Sequence, residues 1–154
     1  MLHNVIRPLV SEDLHAVLCL EQALFDNALS ETALRRELDA GWGLVLCENE
    51  VVLAYALLRP DAEVLDLTRL AVAPNAQRHG YGQQLLRYIL DEPKPIVLTV
   101  LKHNRRALQL YLKHGFRIVG HFSPECAWVL RREPGPWDGP WPNSCSSPRT
   151  HRTA

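Results

Sequence analysis

The chain has 154 residues, enough for one domain with a buried core and too few for two. Its 17 Lys and Arg balance 17 Asp and Glu, so no net field recruits nucleic acid or an anionic membrane surface. The four cysteines are too widely spaced for a zinc site or a disulfide framework and the seven histidines form no helical pair, so no metal is expected.

Asn4–Arg7 is expected as a short strand. Ser11-Glu12-Asp13 supplies an N-cap and an acidic first turn for a helix to about Phe25. A second helix runs from Ser30 to Asp39 and stops at Ala40-Gly41. Gly43–Cys47 and Val51–Leu58, joined across Glu48-Asn49-Glu50, read as a hairpin. A strand from Glu63 to Ala73 leads through a polar turn into a helix whose buried face is Leu85, Leu86 and Ile89. Ile96–Leu101 is a strand, Asn104–His114 a helix ended by Gly115, and two closing strands lie near Phe116–His121 and Cys126–Leu130. The order β-α-α-β-β-β-α-β-α-β-β describes an α+β fold, a sheet with helices on both faces. Cys19, Cys47 and Cys126 are expected as small core residues.

No apolar run approaches the roughly 20 residues of a membrane span. Met1–Ile6 lacks the basic and apolar regions of a secretory signal, so a cytoplasmic protein is expected. From Glu133 to Ala154 there is no Leu, Ile, Val, Phe or Met, and prolines at 134, 136, 140, 142 and 148 interrupt regular structure. The domain is therefore expected to span 1–132, with 133–154 a proline-rich tail that is disordered or loosely docked through Trp137 and Trp141.

The chemistry concentrates at Leu65–Gly82. A strand ends at Pro74, and Gln77-Arg78-His79-Gly80-Tyr81-Gly82 then opens a helix whose first N–H groups have no intrahelical partner. Two glycines without Cβ atoms let an anion approach those donors, so the turn reads as a phosphate cradle. A dinucleotide fingerprint would need a third glycine and an acidic residue about 20 positions on, where Lys102 stands. A Walker loop would need Gly-Lys-Ser or Gly-Lys-Thr, which is absent.

Downstream, Asn104, Ala107, Tyr111 and Gly115-Phe116 follow the strand Leu98–Leu101. Together with the cradle and the opening Ile6-Arg7-Pro8, Glu12-Asp13, this pattern resembles the GNAT family of acetyl-CoA-dependent N-acetyltransferases over residues 4–132. The resemblance implies a mixed, mostly antiparallel central sheet. It implies acetyl transfer from acetyl-CoA, a co-substrate, to a primary amine: a protein or peptide N-terminus or a small molecule. The backbone of Gln77, Arg78, His79, Gly80, Tyr81 and Gly82 would hold the coenzyme pyrophosphate, and Leu70, Ala71 and Val72 would pair with its pantetheine arm and the thioester oxygen. Asn104 would contact pantetheine or fix the start of its helix. Tyr111 would be the general acid that protonates the departing thiol, its alternative being a core tyrosine.

Glu21-Gln22-x-x-Phe25 and Ser30-Glu31-x-x-Leu34 look most like the ribosomal-protein N-terminal alanine acetyltransferases within that family. Where those carry a glutamate base on the strand after the cradle, this chain has Thr99, which cannot serve as a base near neutral pH. Asp66 aligns with the glutamate that histone-type members use on the strand before the cradle. It is either that base, through water, or an edge carboxylate that is solvated or salt-bridged, with Arg69 or Arg59 as partner; His103, His121 and a bare water chain are the other candidates. Glu21, Asp26 and Glu31 are carboxylates placed to attract a cationic amine, or ordinary helix-surface residues. The competing reading is a non-catalytic CoA-binding sensor or scaffold.

Overall fold

In a computed structural model, the structure describes residues 4–123 and 126–135. Residues 136–154, with the expected docking residues Trp137 and Trp141, lie outside the described residues. Seven strands and four helices follow in the expected order: β1 Asn4–Pro8, α1 Leu14–Leu24, α2 Glu31–Ala40, β2 Trp42–Glu48, β3 Val51–Pro60, β4 Leu65–Val72, α3 Tyr81–Ile89, β5 Ile96–Leu101, α4 Arg105–Lys113, β6 Arg117–Phe122 and β7 Ala127–Arg132. The strands form one sheet in the order β1-β2-β3-β4-β5-β7-β6.

The chain divides into two compact units, residues 1–59 with 67–88, and residues 60–66 with 89–154. In the first unit β1 and β3 both run antiparallel to β2. The β2–β3 turn places Asn49 and Glu50 at φ 53° and 67°, the left-handed pair of a tight hairpin turn. Gly43–Cys47 and Ala54–Leu58 are continuously buried, so both faces of these strands are covered. On one face Val45, Cys47, Tyr55, Leu57 and Ala71 meet Leu14 and Val17 of α1 and Leu34 of α2. Leu85, Leu86 and Ile89 are the buried residues of α3, as its periodicity predicts.

Helix starts are set differently from one another. Ser30 caps α2 as expected, its Oγ accepting from the Ala33 amide at 3.1 Å. Ser11 does not cap α1. Ser11–Asp13 form a short 3₁₀ turn, and the buried Asp13 carboxylate accepts instead from the Val10 amide at 2.9 Å and from Arg7 at 2.8 and 3.0 Å. Gly41 ends α2 without left-handed geometry. A Cβ there would sit 2.0 Å from the Leu58 carbonyl oxygen, so glycine is required by the close approach of β3.

In the second unit β5 runs antiparallel to β7, and β7 to β6. β4 and β5 run parallel, in a ladder of two pairs at their starts, Leu65↔Ile96 and Asp66↔Val97. Gly115, at φ 96°, ends α4 by passing through the left-handed region. The cysteine expectation holds only for Cys47. Cys19 lies on the outer face of α1 beside His15, and Cys126 sits exposed at φ 53° ahead of β7.

Candidate active site

Of the residues singled out by the sequence, Leu70, Ala71, Val72 and Gln77–Gly82 belong to the first unit, and Asp66, Asn104 and Tyr111 to the second. β4 ends at Val72, a 3₁₀ turn covers Pro74–Ala76, and the exposed segment Gln77–Gly80 leads into α3. Arg78 and Gly80 take φ 70° and 82°, left-handed values on either side of His79, and Gln77 before them is extended. Among the described residues, the amides of Gln77, Arg78, His79 and Gly80 donate to no protein group. Four free donors stand directly before a helix N-terminus, where the dipole adds partial positive charge. A Cβ at Gly80 would meet nothing within 4 Å, whereas one at Gly82 would stand 3.3 Å from Val72 Cγ2.

Side chains of the turn hold its carbonyls. Gln77 Nε2 donates to the Val72 carbonyl at 3.2 Å. His79 Nδ1 lies 3.1 Å and 3.0 Å from the carbonyls of Ala76 and Gln77, which requires the tautomer with its proton on Nδ1. The His79 ring stacks on Tyr81 with centroids 5.7 Å apart. Leu70–Val72 lie beyond the end of the β4–β5 ladder.

In the second unit Tyr111 is buried on α4, with Phe116 edge-on at 5.5 Å. Burial pushes its phenol up to about 12. Its hydroxyl donates to no group among the described residues, so the proton is not committed elsewhere. Asn104 caps α4 by accepting from the Ala107 amide at 3.2 Å. Asp66 is half-buried on β4. Thr99 is exposed on β5. Lys102 places its Nζ 4.1 Å over the Trp128 ring, and His121 tilts against the same ring.

One cluster carried no sequence signal of its own. The fully buried Glu21 carboxylate accepts from Tyr55 Oη at 2.6 Å, Arg69 Nε at 3.0 Å, Arg69 Nη2 at 2.9 Å and the Leu29 amide at 2.9 Å. Burial alone would raise this carboxyl, but the hydrogen bonds from Arg69, Tyr55 and Leu29 outweigh it and hold Glu21 below its ordinary value. Burial and the Glu21 bond push the Tyr55 phenol up. Glu21 is thus saturated and is no ligand for a cationic amine. Glu31 pairs with Arg35 at 2.9 Å. Asp26 is the exposed one of the three carboxylates that binds no other group among the described residues.

These features meet in a comparison with known sequences. A profile of the Acetyltransferase (GNAT) family matches residues 13–116, which contain the cradle, β4, β5 and Tyr111. The chain belongs to the GNAT acetyltransferase family. Its similarity to the peptidyl-lysine N-acetyltransferase YiaC of Escherichia coli strain K12 is 33% identity over 76 residues, 49% of each chain. To the ribosomal protein bS18 alanine N-acetyltransferase of the same strain it is 29% identity over 119 residues, 73% of this chain and 80% of that one.

Solved GNAT structures share the architecture. The ribosomal-protein-S18-alanine N-acetyltransferase from Escherichia coli superposes with a TM-score of 0.76 at 24% identity, over 84% of this chain and 93% of that one. Arabidopsis thaliana Naa50, solved with the bisubstrate analogue CoA-Ac-MVNAL, gives 0.74 at 18% identity, over 84% and 98%. The expected mixed, mostly antiparallel GNAT sheet is therefore the observed one. The family match favours acetyl transfer from acetyl-CoA to an amine over a non-catalytic CoA-binding module. Among the described residues no group of three His, Cys, Asp and Glu side chains is arranged for a metal, and no helix is long and apolar enough to cross a membrane.

Proposed function

We propose that this GNAT protein acetylates a primary amine on a protein or peptide, with an N-terminal α-amine as the favoured acceptor, using acetyl-CoA in the cytoplasm. The observation that carries the reading is the set of four uncommitted amides at Gln77–Gly80 ahead of α3. A pyrophosphate needs donors that no protein group already uses, and these residues fit it. The acceptor class is supported by the relatives that modify a ribosomal-protein N-terminus or a peptidyl lysine.

In this reading the backbone of Gln77–Gly82 binds pyrophosphate, and the backbone of Leu70, Ala71 and Val72 pairs with pantetheine and polarises the thioester carbonyl. Gln77 and His79 act mainly by holding the carbonyls of the turn away from the anion. Asn104 acts by starting α4. Tyr111 delivers a proton to the departing thiol. Its support is a buried, uncommitted phenol that stays protonated. Asp66 takes the acceptor's proton through water, in the place left open by Thr99. The catalytic domain is 1–132, with 133–154 outside it.

The test is a thiol-release assay of the purified protein with acetyl-CoA and three acceptors: an alanine-terminated peptide, an N-terminally blocked lysine peptide, and small amines. Release that depends on the alanine-terminated peptide is expected. No acceptor-dependent release with any of them would overturn the reading.

A further inference from the structure

In the second unit β5 alternates strictly along its length: Ile96, Leu98 and Val100 are buried, whereas Thr99 and Leu101 are exposed. One face of this strand is packed and the other open. The ladder carries the open face across two more strands, because residues directly opposite in antiparallel strands share a face. Leu101 stands opposite Ala127 of β7, and Ala127 opposite Phe122 of β6; Thr99, Val129 and Gly120 form the neighbouring row. Leu101 is 45% exposed and Phe122 50%. Their strands lie about 9.5 Å apart, with only the alanine methyl between them. That row is a notch with two apolar walls and a small floor.

The far end of β7 is polar. Glu133 pairs with Arg131 at 2.6 Å and with Arg117 at 3.9 Å. Gly135 takes φ 110°, and its carbonyl accepts from Arg132 Nη2 at 3.3 Å. The chain thus leaves β7 in a turn tied to the end of that strand. Beyond Gly135 the only large apolar groups in the sequence are Trp137 and Trp141. Trp141 stands six residues past Gly135, and Ala127 six residues before Glu133. Either span is about 20 Å of extended chain. Pro136 and Pro140 favour extended backbone and lack amide donors, which suits contact through side chains rather than an added strand. Pairing of a second copy at the outer strand β6 is disfavoured, because a bulge between Ile118 and Gly120 interrupts that edge.

We propose that the chain reverses at Gly135 and runs back along this open face, seating the Trp141 indole between Leu101 and Phe122. Three large apolar side chains then leave water together. The placement is independent of the acetyl-transfer reading.

Methyl NMR on the full chain tests it. The Leu101 methyl resonances should lie upfield under the ring current of Trp141, show Overhauser contacts to its indole protons, and move downfield in Trp141→Ala. Phe122→Ser removes one exposed wall and should weaken those contacts. Trp137→Ala should displace the Leu101 resonances less than Trp141→Ala does; a larger displacement overturns the seating of Trp141. The wild-type shifts should hold across a dilution series, as a contact within one chain requires. Leu101 resonances that Trp141→Ala leaves in place overturn the proposal. So does an upfield shift that fades on dilution, which would assign the notch to the tail of a second copy.

Discussion

Tyr111 shows how one side chain's surroundings set its chemistry. Its phenol is raised from 10.0 to about 12 by burial, with Phe116 as its aromatic neighbour. Because the folded value lies above the unfolded one, its contribution to stability is complete below pH 10 and is lost as pH climbs through 12. Tyr111→Phe should therefore flatten the loss of stability across that window, read as denaturant midpoints at successive pH values. The same variant should lower kcat by about 10²–10⁴-fold if the phenol is the acid. Unchanged turnover would leave Tyr111 a core tyrosine. Asn104 was legible in two roles, and the structure places its carbonyl oxygen on the Ala107 amide.

At the scale of elements, the glycines that look alike in sequence do different work. Gly41→Ala would drive a Cβ into the Leu58 carbonyl, so β3 must shift; overpacking of that kind costs about 1–3 kcal/mol, measurable by chemical denaturation. Gly80→Ala meets open space and pays only for its positive φ, about 1–2 kcal/mol. Its larger effect should fall on the KM for acetyl-CoA, because the turn would relax and its amides diverge. Gly41→Ala, at the end of α2, should leave that KM closer to wild type. If Gly80→Ala leaves the KM unchanged, the cradle is not the pyrophosphate site. Capping is weaker: Ser30→Ala removes one hydrogen bond and should cost about 1 kcal/mol.

Across the whole molecule, acid stability follows from carboxylates that are paired in the fold. The Arg7 hydrogen bonds hold Asp13 below 3.8, aided by the Val10 amide and opposed by burial. Glu21 is likewise held below 4.5. Both folded values are depressed, so the stability they contribute is present above the unfolded values and lost as pH falls through the folded ones. Unfolding midpoints should drop steeply below about pH 4.5, and Asp13→Asn should make that descent shallower. Equal numbers of acidic and basic groups also place the solubility minimum close to pH 7, which precipitation across a pH series would show.

The order of strands and helices was readable from sequence because it depends on local quantities: apolar periodicity, Ser30 and Asn104 at helix starts, and glycines at turns. The turn at Gln77–Gly82 was readable for the same reason, since its glycines and the helix that follows it are features of consecutive residues. The sequence could not show that Cys19 and Cys126 face outward, that Asp13 bonds Arg7 rather than cap a helix, or that Gly41 serves a close approach. It could not show the Glu21–Arg69 clamp, whose partners stand 48 residues apart and read separately as a helix carboxylate and a strand arginine. Charge pairing at that separation carries no periodicity. Packing α1 against the sheet buries Glu21, and a buried carboxylate must find its donors wherever the fold brings them.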